Sequence, residues 1–212
     1  MISILAIMDL LGTIAFAASG ALVGIRRNMD IFGVNVLAVV TATGGGILRD
    51  LLIGIHPPVM FTDPFYVCAA VITANLVFGF VFFHPRLPDR AAHIYDLVMF
   101  WLDTFGVAAF TVDGVMIGVD RGFRDNLFLI VFLGVITGVG GGMIRDVLAN
   151  QMPDVLRKHV YAMASITGGV ITGALVQNMR DARIGIVTGF AAIVLIRWLA
   201  AKNRWNLPKV EL

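Results

Sequence analysis

The sequence predicts an all-α integral membrane protein with seven transmembrane helices, arranged as two inverted three-helix repeats plus a seventh helix. Three observations predict this class. The composition is 58% hydrophobic and only 14% charged, against about 25% charged residues in a water-soluble domain. Apolar stretches of roughly 20 residues, the length that crosses a bilayer, recur along the chain, and one glycine-rich element occurs twice.

Seven apolar segments account for most of the chain, and short polar or proline-bearing links typical of turns separate them. Segments 1 to 7 span residues 2–25, 31–55, 65–83, 94–119, 127–149, 160–176 and 184–201. We therefore expect a first three-helix repeat over residues 2–83 and a second, inverted one over 94–176. A seventh transmembrane helix over 184–201 and a cytoplasmic tail over 202–212 complete the expected organisation.

The basic residues of the links predict the orientation. With seven crossings, the links after segments 1, 3 and 5 lie on the same side as the tail. That side holds Arg26, Arg27, Arg86, Arg90, Arg157, Lys158, Lys202, Arg204 and Lys209, and the opposite side holds Arg121, Arg124, Arg180 and Arg183. Because basic loops stay in the cytoplasm, we expect the C-terminus inside and the N-terminus outside.

Several function classes are disfavoured by the sequence. The net charge of +2 arises from basic residues at the ends of apolar segments, a topological pattern rather than a nucleic-acid surface. Cys68 is the single cysteine, so no intrachain disulfide or cysteine-based metal motif is expected. The metalloprotease, nucleophile-elbow and P-loop motifs do not occur. We expect no enzyme activity, no cofactor and no nucleic-acid partner.

Segments 2 and 5 share a Gly-Gly-Gly-x-x-Arg-Asp element, at residues 44–50 and again 96 positions later at 140–146. Segments 1 and 4 also align, at an offset of 94: Asp9, Gly12, Ala15, Phe16, Gly20 and Gly24 match Asp103, Gly106, Ala109, Phe110, Gly114 and Gly118. A repeat of three helices inserts its second copy upside down. Inverted repeats are typical of transport proteins, whose working site lies at the repeat interface.

The glycine triplets are the first candidate pathway residues: Gly44, Gly45, Gly46, Gly140, Gly141 and Gly142. Three consecutive glycines cost a helix about 1 kcal/mol each relative to alanine, and they favour a break whose carbonyl groups face a cavity and bind a cation. The alternative is close helix packing through small residues. Packing usually needs small residues four apart, so the sequence favours the break.

Charged residues follow each triplet by about one turn. Arg49 with Asp50, and Arg145 with Asp146, are candidates for gating or for charge pairing. Charges near the bilayer centre are costly, so they face the bundle interior and find partners. The alternative is that these residues pair or cap helix ends and have no other role.

Six further polar residues are candidates for the ion pathway: Asp9, Asp103, Asp113, Ser19, Thr41 and Thr137. Asp113 lies in an otherwise apolar stretch, and an interior carboxylate attracts cations or relays protons. Asp9 and Asp103 occupy matching positions, as do Ser19 and Asp113. The two threonines precede the triplets by three residues, although threonine more often bonds to its own helix backbone.

The repeated element, the two three-helix repeats and the seventh helix resemble the prokaryotic trimeric intracellular cation (TRIC) channel family. Its bacterial members are also described as YadS/YicG-like glycine transporters. The resemblance covers nearly the whole chain and implies a homotrimer in a prokaryotic inner membrane, with one pore per protomer for potassium or sodium ions. Helices 2 and 5, bent at the glycines, would flank that pore. Only the six triplet glycines carry over residue by residue.

Animal members of that family have a Lys-Glu-Val element, where this chain has Arg49-Asp50-Leu51 and Arg145-Asp146-Val147. Phosphoinositide binding is therefore not carried over. We expect a potassium-permeable channel whose partners are membrane lipid, monovalent cations in transit and two further copies of the chain. The alternative is a secondary transporter of glycine or a similar small zwitterion. A structural or sensor protein would leave the buried charges unexplained.

Overall fold

The computed structural model describes residues 4–84, 91–157, 160–179 and 181–205, without the side chains of residues 91–93. The regular structure within these ranges is helical. The helices are α1 (Ile4–Arg26), α2 (Ile31–Leu52), α3 (Val59–Thr62), α4 (Phe65–Phe83), α5 (Ala91–Gly118), followed by a π-helical turn (Val119–Phe123), α6 (Leu127–Leu148), α7 (Asp154–Arg157), α8 (Tyr161–Asn178) and α9 (Ala182–Lys202). Some of the predictions concern residues outside the described ranges. These residues are positions 2–3 of the first predicted repeat, tail residues 206–212, and the predicted loop cations Arg86, Arg90, Lys158, Arg180 and Lys209.

Six of the long helices have the length and apolar composition of a membrane span: α1, α2, α4, α5 with its π-helical turn, α6 and α9. The remaining predicted span, segment 6 over residues 160–176, corresponds to α8. Its 18 residues include Ser165, Gln177 and Asn178, and it does not have that composition. The described residues therefore show six candidate spans. A seventh crossing by α8 stays a prediction.

Large apolar side chains cover the outside of the helices. Phe128 is 81% exposed, Phe83 is 77% exposed and Phe32 is 75% exposed. A protein in water rarely leaves so many large apolar groups on its surface. Lipid, or other copies of the chain, therefore surrounds these faces.

Local signals explain where α2 and α6 begin and end. Asp30 and Asn126 cap their first turns by accepting hydrogen bonds from the N–H groups of Gly33 at 2.8 Å and Leu129 at 3.0 Å. Such side-chain caps satisfy N–H groups that have no partner inside the helix. Each helix is followed by a left-handed residue, Gly54 with φ of 74° and Asn150 with φ of 51°. This conformation is the common C-terminal stop.

The helix contacts come in matching pairs. α1 packs on α2 and α4 in the same way that α5 packs on α6 and α8, and α2–α4 matches α6–α8. The first three helices (α1, α2, α4) meet the second three (α5, α6, α8) mainly where α1 packs on α5 and α2 packs on α6. α9 lies outside this arrangement and packs on α8 and α5. The two groups of three helices thus share one central contact, formed by α1, α2, α5 and α6.

α2 and α6 cross at the glycine triplets with their backbones in contact. A Cβ atom at Gly45 would collide with the carbonyl group of Thr137, and a Cβ atom at Gly141 would collide with the carbonyl group of Thr41. The Cα atom of Gly45 would also lie 3.2 Å from a Cβ atom at Gly140. Only glycine permits this approach, which is the small-residue packing found between membrane helices.

The predicted break at the triplets is therefore wrong. α2 is α-helical from Ile31 to Leu52 and α6 from Leu127 to Leu148, without interruption at the glycines. Their backbone groups stay in the helical hydrogen-bond pattern and do not form a ring of free carbonyl groups. The close-packing alternative is the arrangement that the structure shows.

We predict that Gly45→Ala destabilises the protein and that Gly46→Ala does not. The methyl group at position 45 would force the two helix backbones apart, an overpacking that costs about 1–3 kcal/mol. A Cβ atom at Gly46 meets only the Arg49 guanidinium, at 3.6 Å, so alanine there should raise helix stability by up to about 1 kcal/mol. The thermal unfolding midpoints in detergent measure both effects, and equal midpoints for the two variants would contradict the crossing described here.

Candidate functional site

Two cavities enter the helix bundle from opposite ends. The smaller, narrow cavity has a volume of about 110 Å³ and includes Asp9 and Thr13 from the first half of α1. The larger, wide cavity has a volume of about 1240 Å³ and includes Val23 and Arg26 from the other end of α1. α5 runs the other way, with Asp103 in the wide cavity and Asp113 in the narrow one.

Arg49 forms the first buried charge cluster, at the narrow cavity. Its Nε atom donates to Oδ1 of Asp50 at 3.0 Å, and its Nη1 atom donates to Oδ2 of Asp113 at 3.0 Å. The other carboxylate oxygen of Asp50 accepts the backbone N–H of Val59, which opens α3, at 2.9 Å. All three charged side chains are buried. They satisfy one another, as buried charges must.

Arg145 forms the second cluster, at the wide cavity. Its Nε atom donates to Oδ1 of Asp146 at 2.8 Å, and its Nη1 atom donates to Oγ of Ser19 at 2.9 Å and to Oδ1 of Asp103 at 3.3 Å. The second carboxylate oxygen of Asp146 accepts the backbone N–H of Asp154 at 2.9 Å. Arg145 is only 2% exposed.

The two clusters follow the same plan and each joins both halves of the protein. Arg49 of the first half bonds to Asp113 of the second, and Arg145 of the second half bonds to Ser19 of the first. Ser19 and Asp113 are the positions that align in the sequence repeat. Arg49 therefore ties α2 to α5 at one end of the bundle, and Arg145 ties α6 to both α1 and α5 at the other end.

The seventh long helix makes the two clusters unequal. Arg197 of α9 donates from Nη2 to Oδ2 of Asp103 at 2.7 Å and from Nε to the hydroxyl of Thr104 at 2.8 Å. Its guanidinium lies 4.2 Å above the ring of Tyr161, whose hydroxyl donates to Asp103 at 3.0 Å. Asp9 aligns with Asp103 but lies beside Tyr66, with Arg49 at longer range.

The charges of the two cavities differ accordingly. Around the narrow cavity, the carboxylates of Asp9, Asp50 and Asp113 outnumber the single guanidinium of Arg49. Around the wide cavity, basic residues outnumber acidic ones. They are Arg26, Arg27, Arg145, Arg157, Arg197, Lys202 and Arg204, against Asp96, Asp103 and Asp154. The formal charge of the residues that border the narrow cavity is therefore negative, and that of the residues that border the wide cavity is positive.

The structure distributes the predicted pathway residues among several places. Asp9, Gly46, Arg49, Asp50, Asp113 and Thr137 border the narrow cavity, and Asp103 and Arg145 border the wide one. Ser19 and Asp146 lie behind these surfaces as partners of Arg145. Gly44, Gly45, Gly140, Gly141 and Thr41 lie in or beside the α2–α6 contact, and Gly142 lies beside the hydroxyl of Tyr161.

Thr41 and Thr137 each bond to the backbone of their own helix, which was the alternative to a role in the ion pathway. The Thr41 hydroxyl donates to the carbonyl oxygen of Leu37 at 2.5 Å, and the Thr137 hydroxyl donates to that of Leu133 at 2.6 Å. The bonds leave each hydroxyl its acceptor lone pairs. Thr137 borders the narrow cavity, and Thr41 borders neither of the two cavities.

Sequence reasoning missed Arg197, Tyr161, Thr104 and Tyr66. A signal for Arg197 was available, because it is a charged residue inside the seventh apolar segment, and such residues find buried partners. The tyrosines carried no comparable signal. Both lie at the beginning of a helix, where aromatic residues are common as interfacial anchors.

Comparisons with known proteins place the chain among bacterial membrane proteins. The sequence profile of a family described as glycine transporter matches residues 6–81 and 100–177. The UPF0126 inner membrane protein YadS of Escherichia coli K12 is 38% identical over 208 residues, which cover 97% of this chain and 95% of that protein. The TRIC-type resemblance is likewise confirmed by solved structures.

Two of these solved structures superimpose over almost the full chain. A prokaryotic TRIC channel in 0.5 M KCl matches with a TM-score of 0.85 and 32% identity, covering 96% of this chain and 98% of that chain. The TRIC trimeric intracellular cation channel orthologue from Rhodobacter sphaeroides matches with a TM-score of 0.84 and 31% identity, covering 95% and 99%.

We predict that Arg197→Met lowers the free energy of unfolding by about 3 kcal/mol, because removing one partner of a buried ion pair leaves the other charge uncompensated. The matched control is Arg26→Met. The Arg26–Asp96 pair is 3.8 Å long with both side chains more than half exposed, so its loss should cost less than about 1 kcal/mol. Denaturant titration in detergent micelles measures the free energy of unfolding of both variants. Equal losses of this free energy would contradict a larger contribution from the buried ion pair of Arg197.

Proposed function

The chain belongs to the glycine transporter family of membrane proteins, and we propose that it is a channel for monovalent cations such as potassium, with one pore in each protomer. The observation that supports this most strongly is the pair of cavities that enter one protomer from opposite ends. The similar solved structures are TRIC cation channels rather than enzymes. No catalytic chemistry is part of the proposal.

The proposed path runs through the bundle beside α1, α2, α5 and α6. Its narrow part passes Asp9, Thr137 and Asp113, and its wide part passes Asp103. Carboxylates that border a narrow path attract cations and repel anions. We assign cation preference to the narrow cavity. The basic rim of the wide cavity is more open, and salt screens exposed charges there within about 8–10 Å.

We propose that the two arginine clusters control passage. Arg49 holds Asp113 and Arg145 holds Asp103 and Ser19, so each guanidinium places a positive charge where the corresponding cavity ends. A fixed positive charge beside a narrow path is an electrostatic barrier to cations. Weakening these bonds would let the arginine side chains withdraw and the path widen.

The arrangement in the membrane is also part of the proposal. The paired helix contacts support two inverted three-helix repeats, with residues 2–83 as the first and 94–176 as the second, and α8 as a crossing helix beside α9. The described cations of the predicted inner side, Arg26, Arg27, Arg157, Lys202 and Arg204, all border the wide cavity. We infer that the wide cavity and the C-terminus face the cytoplasm, with the N-terminus outside, in a prokaryotic inner membrane.

We further propose a homotrimer surrounded by lipid. The orthologue from Rhodobacter sphaeroides is described as trimeric, and the exposed apolar faces of this chain supply surface for both protein and lipid contacts. Chemical cross-linking in native membranes should stop at a trimer.

A second candidate function is transport of glycine, because the family description names it and one cluster has suitable chemistry. Arg145 and Arg197 are both bonded to Asp103 beside the wide cavity. A guanidinium binds a carboxylate, and an aspartate binds an ammonium group, so a small zwitterion fits this pair of charges.

Purified protein in liposomes separates the two functions. A channel gives potassium efflux that persists along the gradient and is unchanged by millimolar glycine. A transporter gives saturable glycine uptake and glycine exchange, with no potassium current. Saturable glycine exchange without potassium flux would overturn the channel proposal.

We predict that two variants of one ion pair change potassium flux in opposite directions. Arg49→Gln removes the barrier charge and should raise flux several-fold. Asp113→Asn removes an attracting carboxylate and leaves Arg49 with one carboxylate partner fewer beside Asp50, so flux should fall several-fold. Arg183→Gln, at an exposed position near the start of α9, is the control and should leave flux unchanged. The measurement is potassium efflux from liposomes with equal amounts of folded protein; changes of the same sign for both variants would contradict the assigned roles.

A further inference from the structure

A pair of phenylalanine rings lies at the centre of the bundle. Phe16 of α1 and Phe110 of α5 pack edge to face, with ring centroids 5.3 Å apart and ring planes at 68°. Phe16 is fully buried and Phe110 is 6% exposed. The two residues align in the sequence repeat, so each half of the protein contributes one ring.

The rings lie between the two cavities along both helices. On α1, Thr13 borders the narrow cavity, Phe16 follows after three residues, and Ser19 joins the cluster of Arg145 after three more. On α5 the order is reversed, with Asp103 at the wide cavity, Phe110 next, and Asp113 at the narrow cavity. Phe110 itself borders the narrow cavity and so forms its inner end.

Three glycines lie against the rings. A Cβ atom at Gly106 would collide with the ring of Phe16, and a Cβ atom at Gly12 would lie 2.9 Å from the ring of Phe110. A Cβ atom at Gly141 would lie 3.3 Å from the ring of Phe16. Each ring therefore fills the space that a glycine leaves on the opposite helix, and together they seal the layer between α1, α5 and α6.

Apolar side chains adjoin the two rings in the same buried cluster. The Thr41 hydroxyl nearby donates to its own helix. The neighbouring side chains Ala17, Val107 and Ala108 are apolar and buried. Water leaves a narrow apolar constriction, and ions then do not pass.

We infer that Phe16 and Phe110 form the apolar constriction of the path, a barrier distinct from the charged clusters on either side of it. The inference rests on the proposed function, since it treats the two cavities as halves of one path. Rotation or separation of the two rings joins the cavities. The arginine clusters then act as electrostatic barriers at the two cavities, and the aromatic pair sets whether the path holds continuous water.

Potassium efflux from liposomes tests the barrier directly. Phe110→Ala should raise efflux several-fold over the parent protein, because it removes one ring of the seal, and Phe110→Leu should restore most of the barrier. Phe16→Ala should act like Phe110→Ala. The control is Phe128→Ala, because the Phe128 side chain is 81% exposed on the outside of the bundle, and this variant should leave efflux unchanged. Thermal unfolding midpoints verify that each variant is folded.

Thiol labelling tests the same barrier without ion conduction. Cys68 is the single cysteine, so Cys68→Ser gives a cysteine-free chain. Met60→Cys then reports on the narrow cavity and Met99→Cys on the wide one, because each side chain borders its cavity and is partly exposed. A small, charged, membrane-impermeant thiosulfonate is applied to right-side-out and inside-out vesicles. Each reporter should react from one face in the parent and from both faces when Phe110→Ala is added.

The outcomes separate this inference from the proposed function. Unchanged efflux and one-sided labelling in folded Phe110→Ala and Phe16→Ala, with a conducting parent, would overturn the aromatic barrier and leave the channel intact. Two-sided labelling with no potassium efflux from any variant would support the barrier and overturn the channel. Two-sided labelling with raised efflux supports both.

Discussion

The backbone contact between α2 and α6 is the constraint on which the rest of the structure depends. Gly45 lies against the carbonyl group of Thr137, and Gly141 lies against that of Thr41. Arg49 and Arg145 each follow the contact glycine by four residues, about one helical turn. The crossing therefore sets the positions of both guanidinium groups, and their bonds to Asp113 and Ser19 hold α1 and α5 around the centre. A wider crossing would separate each arginine from its partner in the other half.

The protein combines a nearly symmetric frame with an unsymmetric distribution of charge. The paired helix contacts, the two arginine clusters and the two phenylalanines repeat from one half to the other. α9 contributes Arg197 to one cluster only, and so neutralises Asp103 while Asp9 keeps a more acidic environment. The cavities at the two ends consequently differ in both size and charge. Unequal conduction in the two directions across the membrane is the expected electrical consequence of this difference.

Much of the architecture could be predicted from the sequence, because apolar segment length and the repeated glycine element are local signals. The helix bounds agree to within a few residues, and the charges after the triplets do lie buried with partners. The role of the triplets could not be predicted, since a contiguous run of glycine is compatible with both a break and a close contact. The choice depends on what lies opposite, here the carbonyl groups of Thr41 and Thr137, and only the packed structure contains that information. Arg197 was not predicted, because α9 lies outside the sequence repeat. The aromatic pair was not predicted either, because Phe16 and Phe110 resemble other core residues until the two cavities are located.

The central claim is that one protomer contains a cation path between its two cavities. Recording from the purified protein in a planar bilayer, with a tenfold potassium chloride gradient, tests this claim most directly. Our account predicts discrete openings whose current reverses near the potassium equilibrium potential, with up to three equal conductance levels if three protomers each contain a pore. Currents that reverse near the chloride potential, or a bilayer without openings despite folded protein, would contradict it.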